Sequence, residues 1–137
     1  MALSGFAELT LEARDLDRLQ RFYTQAFGLR LLSRDGDRAW LAAGRYARLG
    51  LWTPGEKEFG DEGGRHVHFA FAADPGTLDD LIGRLREHGA SVRGPEEHPG
   101  GDRSAYVEDP EGNVVEVWDF FHRGEGARDG THAFSDA

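Results

Sequence analysis

Hydrophobic and polar residues alternate over positions 6–13, with Leu9, Leu11 and Ala13 on one face and Glu8, Thr10 and Glu12 on the other, which predicts a strand. The period then changes. Leu16, Leu19, Phe22, Tyr23 and Phe27 recur at helical spacing behind a possible cap at Asp15 and ahead of Gly28, so a helix is expected over roughly 16–27. Residues 29–33, 38–43 and 46–52 read as three further strands, divided by Asp35-Gly36-Asp37 and by a break at Gly44. Residues 53–64 have the Pro, Gly and charge content of a linker.

The same order starts again after that linker. Residues 65–73 predict a strand, 77–88 a helix closed by Gly89, and 90–93 a short strand. Residues 94–102 read as loop, 104–108 as strand, Asp109-Pro110-Glu111-Gly112-Asn113 as a turn, and 114–119 as a last apolar strand. The two halves agree in register: Glu8 stands before Gly28 as His68 stands before Gly89, and Leu49-Gly50-Leu51-Trp52 matches Val115-Glu116-Val117-Trp118. Glu8 and His68 are therefore counterparts, as are Gly50 and Glu116. The expectation is an α+β chain of two βαβββ modules, residues 6–52 and 65–120, within a single domain over 1–122, followed by a mobile polar tail over 123–137.

The chain length of 137 residues suits one domain, and its composition, 39% hydrophobic and 30% charged, is that of a globular protein. A net charge of −9 and the lack of a basic run argue against nucleic acid, and no apolar stretch is long enough for a membrane span. No signal-like leader is seen, so a cytoplasmic location is expected. With no cysteine, any metal must be held by nitrogen and oxygen.

On Leu9-Thr10-Leu11 with Asp15-Leu16 and Phe22-Tyr23, on His68-Phe69-Ala70-Phe71 with Asp74, and on Asp109-Pro110-Glu111-Gly112-Asn113 followed by Glu116, residues 6–120 resemble the vicinal oxygen chelate superfamily. That superfamily includes glyoxalase I, extradiol dioxygenases, fosfomycin-resistance thiol transferases and bleomycin-binding proteins. The resemblance implies a cupped, incompletely closed mixed sheet and a divalent metal (Mn, Fe, Mg, Ni or Zn) held by Glu8, His68 and Glu116. It also implies a homodimer with shared sites, in which Glu8 of one chain meets His68 and Glu116 of the other. Glu8 stands where relatives usually carry His, and Gly50 stands where some supply a fourth ligand.

Each candidate has a plainer alternative. Glu8 as a ligand, doubling as a base, competes with a solvent-facing strand carboxylate. His68 competes with an ordinary half-buried histidine and with His66, two residues away on the same face. Glu116 competes with an ordinary strand carboxylate; flanked by Val115 and Val117, it is directed opposite to them and points into the cup if that apolar pair packs against a helix. Ser104 and Tyr106 share a face and suit substrate binding, with Tyr106 also catalytic, the alternative being an edge strand with a solvent-facing hydroxyl. Among Trp40, Trp52, Trp118, Phe69 and Phe71, Trp52 and Trp118 are the candidates to line a pocket, although aromatics at strand spacing are more often core.

Two functions follow as expectations. One is a metal-dependent lyase, isomerase, transferase or dioxygenase acting on a small molecule with neighbouring oxygens. The other is a metal-free protein that binds a drug, as the resemblance to bleomycin-resistance proteins implies.

Overall fold

A computed structural model describes residues 6–53, 67–74, 76–101 and 103–119. Most of the expected linker, the expected tail and His66 lie outside these residues. The described chain divides into two compact units, one of residues 6–53, 67 and 109–113, the other of 68–74, 76–101, 103–108 and 114–119.

In the first unit, β1 (Glu8–Glu12) leads into α1 (Leu16–Arg21), a π-helical turn (Phe22–Ala26), β2 (Leu31–Asp35), β3 (Arg38–Ala42) and β4 (Arg48–Trp52). The sheet order is β1-β4-β3-β2, with β1 parallel to β4 and the other pairs antiparallel. Asp15 caps α1 as expected, its carboxylate accepting from Arg18 N at 3.1 Å. Leu16, Leu19, Tyr23 and Ala26 form the buried stripe that packs with Leu11, Ala39, Leu41, Leu49 and Leu51. The expected regular helix ends one turn early. Phe27 N donates to Phe22 O, five residues back, and the widened turn gathers Phe22, Tyr23 and Phe27 into one ring cluster.

The second unit repeats the plan with β5 (His68–Ala72), α2 (Leu78–Glu87), β6 (Val92–Glu97), β7 (Arg103–Glu108) and β8 (Val114–Trp118), in the order β5-β8-β7-β6. Here β5 is parallel to β8 and the remaining pairs are antiparallel. Leu78, Ile82 and Leu85 of α2 are buried, as are Ala105, Val107, Val115 and Val117 of the sheet. Gly28 and Gly89 both take positive φ, 79° and 85°, the left-handed conformation that lets a chain leave a helix without a Cβ clash. The α+β plan of two βαβββ units is thus as expected, and both four-stranded sheets are open.

One boundary is corrected. Residues 94–97, expected as loop, continue β6, because the ladder tolerates a bulge between Arg93 and Glu96 that holds Gly94-Pro95. A bulge is one of the few places in a sheet where a residue without an N–H costs no ladder bond. None of the described helices is long and apolar enough to cross a membrane.

The turn over 109–113 packs with the first unit. Asp109 is 4% exposed, and its carboxylate accepts from Glu111 N and Asn113 N at 2.9 Å each, from Asn113 Nδ2 at 2.8 Å and from the Tyr23 hydroxyl at 2.6 Å. Burial, then the Asp109 charge, pushes the Tyr23 phenol well above its ordinary value. Removing the donor with Tyr23→Phe is expected to cost about 1.5–3 kcal/mol, since a buried carboxylate loses a charge-assisted bond. The folded chain holds this proton more tightly than the unfolded one, so the contribution is complete below about pH 10 and is lost as pH rises through the higher native value. Urea unfolding at pH 8 and pH 11 checks both points, the wild type losing more stability between the two than Tyr23→Phe does.

Candidate functional site

The ladder of the second sheet decides which side chains share a face. Ala70, Glu116, Tyr106 and Arg93 are successive partners across β5, β8, β7 and β6. Residues directly opposite one another point to the same side, so this line forms a polar row, while Val115 and Val117 point into the apolar side. His68, two residues before Ala70, belongs to the polar side as well.

His68 and Glu116 meet, as expected: Nε2 lies 3.2 Å from Glu116 Oε2. The imidazole side chain is 59% exposed and the carboxylate side chain only 10%. Glu116 Oε1 is buried and receives no hydrogen bond from any described residue. A buried carboxylate oxygen without a donor is costly, and such atoms in folded proteins usually face a ligand, ion or water. Beside it, Tyr106 lies with its ring centroid 6.2 Å from that of His68. The Glu116 carboxylate, ahead of burial, raises the phenol above its ordinary value, so Tyr106 stays protonated and is a donor at neutral pH.

Ser104 shares the face of Tyr106, but it is not solvent-facing and its strand is not an edge. β7 lies between β8 and β6, Ser104 is fully buried, and its Oγ sits 2.8 Å from His98 Nε2. The His98 ring in turn stacks on Trp118, centroids 4.4 Å apart and planes 17° from parallel. His98 and Trp118 therefore cover the Ser104 hydroxyl. Phe69 and Phe71, alternating with His68, point to the opposite side of β5.

The counterpart residues in the first unit are differently engaged. Glu8 pairs in the ladder with Arg48, whose Nε donates to Glu8 Oε1 at 2.8 Å, and Thr10 Oγ1 donates to Oε2 at 3.1 Å. These bonds, Arg48 first, hold the Glu8 carboxyl below the usual carboxylate range. The Arg48 guanidinium lies over the Trp40 ring, 3.9 Å from its centroid, and Trp40 is the ladder partner of Gly50. A Cβ at position 50 would fall inside van der Waals contact of Trp40 Cζ3 and 3.0 Å from Thr10 Oγ1. Trp40 thus occupies the space that a side chain at position 50 would need. Trp52, at the end of β4, is 36% exposed and carries the Arg38 guanidinium 4.2 Å from its ring centroid.

Among the described residues no three His, Asp or Glu side chains converge on one point. The second unit supplies two of the expected ligands, and Glu8 stands in the first, tied to Arg48. Three residues of these faces were not singled out from sequence: Arg48, Arg93 and His98. Arg48 was within reach, because the repeat that pairs Gly50 with Glu116 also sets Glu8 opposite Arg48. Arg93 and His98 had no such signal, since the bulge in β6 hides their register.

Replacing Gly50 with Ala is expected to destabilise the fold by about 1–3 kcal/mol by overpacking against Trp40. In a double-mutant cycle with Trp40→Leu, measured by chemical unfolding, the two changes together should cost clearly less than their sum.

A family model described as a glyoxalase-like domain matches residues 8–118. Among solved structures, a lactoylglutathione lyase from Agrobacterium tumefaciens is 30% identical with a TM-score of 0.69, covering 86% of this chain and 95% of its own. TnmS3, an antibiotic-binding protein from Streptomyces sp. CB03234, is 27% identical with a TM-score of 0.65 over 85% of this chain and 96% of its own. An integron cassette protein from the mobile metagenome of the Halifax Harbour sewage outfall is 26% identical, with a TM-score of 0.69 over 85% and 98%.

Proposed function

Because the chain belongs to the glyoxalase-like domain family, we propose that it is a metal-dependent enzyme acting on a small molecule with neighbouring oxygens. The observation that carries this reading is Glu116, whose Oε1 is buried with no donor among the described residues while its Oε2 touches His68 Nε2. An imidazole nitrogen and a carboxylate side by side form a donor set that suits a divalent ion, and an oxygen with no donor is the form in which a carboxylate waits for one. With Glu8 as a second carboxylate the site would be harder than one of two His and one carboxylate, which favours manganese, magnesium or iron over zinc.

When bound there, a divalent ion would polarise a pair of substrate oxygens as a Lewis acid. The chain itself supplies the rest. Glu116 is buried on a central strand and so is fixed in direction, whereas His68 is exposed and open to a substrate from solvent. The Tyr106 phenol, protonated and hydrogen-bonded beside Glu116, would turn its donor to an oxygen that gains negative charge during the reaction. Ser104 acts from beneath, fixing His98 against Trp118 rather than touching the substrate. Glu8 enters as a third ligand, and as a base, only by exchanging Arg48 for the ion. The homodimer with shared sites belongs to the same proposal and is checked by sedimentation at micromolar concentration.

A drug-binding role without metal is the second reading, and the first unit favours it. The Glu8, Arg48, Trp40 and Gly50 cluster is internally satisfied and leaves no carboxylate waiting there. The likeness to TnmS3 points the same way.

Metal analysis separates the two. Untagged protein reconstituted with manganese or ferrous iron and then dialysed is expected to retain about one ion per chain, and His68→Ala or Glu116→Ala less than about a tenth of that. A wild-type protein that retains no more than these variants would sink the enzyme reading, and ligand affinity unchanged by chelator would support the binding protein.

A further inference from the structure

The polar row of the second sheet does not stop at Tyr106. Arg93 is the ladder partner of Tyr106, and its guanidinium carbon lies 4.7 Å from the centre of the phenol ring. A guanidinium over an aromatic ring can still present N–H groups from its edge, and that edge matches the fork of a carboxylate or phosphate. Arg93 is exposed, and no carboxylate of the described residues forms an ion pair with it, whereas Arg34, Arg48 and Arg103 each have one. The nearest acid on its own strand in this ladder, Glu96, is registered with Ser104 instead.

Geometry connects this free cation to the unpartnered oxygen of Glu116. Adjacent strands lie roughly 4.8 Å apart, so Arg93 and Glu116, two strands apart, are separated by about 10 Å at the backbone, and the length of the arginine side chain shortens that span. Tyr106 stands between them. We infer that Arg93 and Tyr106 form a subsite for one anionic group, a carboxylate or phosphate, at the far end of a substrate whose near end reaches Glu116 and His68. The near end rests on the proposed function; the subsite does not.

The surroundings limit the ligand to a single such group. Glu96 acts electrostatically on Tyr106 and would repel a second negative charge, and a chain of net charge −9 disfavours polyanions. The substrate class is thus a small monoanion-tailed molecule with a pair of oxygens at its other end.

Calorimetric titration with 5-hydroxy-4-oxopentanoate and with its amide tests this. Both keep the hydroxyketone end, a neutral pair of neighbouring oxygens, and only the first carries an anion at the far end. The wild type is expected to bind the acid roughly tenfold or more tightly than the amide, and Arg93→Gln to lose that preference while binding the amide as the wild type does. Arg93→Lys should retain part of it, having the charge without the fork. A wild type that does not prefer the acid, or an Arg93→Gln that keeps the preference, overturns the subsite. Titrations with manganese and with chelator keep the two proposals apart. Preference dependent on Arg93 in a protein that retains no metal removes the metal reading and leaves the subsite standing, and metal retention without any Arg93 effect does the reverse.

Discussion

The turn that leads into β8 depends on one buried carboxylate, that of Asp109. A charge taken out of water is tolerated only when its lone pairs are filled, and here four donors fill them: two backbone N–H groups of its own turn, the Asn113 amide and the Tyr23 hydroxyl. The turn is fixed at its other points too. Asn113 Oδ1 accepts from Val67 N at 3.0 Å, immediately before β5, and Glu111 accepts from the N–H groups of Arg14 and Asp15 at the start of α1. The bond from Asp15 satisfies a donor that a helix beginning leaves open, and Glu111 places a negative charge where the helix dipole favours it.

The chain just before each strand of the candidate pair is thereby held at this turn. Val67 precedes His68, and Asn113 precedes the strand that carries Glu116. A side chain's face in a strand is fixed by parity, so a strand that starts from a pinned residue has no freedom to turn Glu116 towards the apolar side. The carboxylate is then buried on a central strand, its apolar neighbours Val115 and Val117 holding the backbone in place. Preorganisation of this kind is what a ligand requires of a binding group, because the cost of desolvation has been met in folding.

Much of this is written in local sequence. Period-two alternation points to β1, an apolar run after a turn to β8, helical spacing to α1 and the repeated order to α2, and Gly28 and Gly89 mark where each helix ends. The proximity of His68 and Glu116 was legible because the two halves repeat in register, so that a ladder pairing in one half implies the same pairing in the other. What escaped depends on partners that are distant in the chain or on breaks in period. The π-helical turn answers the packing of Phe22, Tyr23 and Phe27, and spacing alone could not separate it from regular helix. Gly94-Pro95 reads in sequence as a break that ends β6 early, and only the ladder shows that a bulge absorbs it. Ser104 looked accessible by pattern, yet His98, from a segment without periodicity, covers it.

The repeat also explains why the two halves are not chemically equivalent. At matching positions the first unit has Glu8, Arg48, Trp40 and Gly50, and the second has His68, Val114, Tyr106 and Glu116. In the first, the acid is on the opening strand and its cation directly opposite, so the charges cancel within one ladder pair and the indole fills the space left by glycine. In the second, the acid has moved to the closing strand, the residue opposite His68 is an apolar valine, and Arg93 lies beyond Tyr106 rather than against the acid. The same backbone therefore gives one self-satisfied polar face and one with an anionic oxygen and a cationic edge left over. Among the described residues it is the second that has unspent interactions to offer a ligand, and it is the asymmetry of four side-chain positions, not the fold, that makes it so.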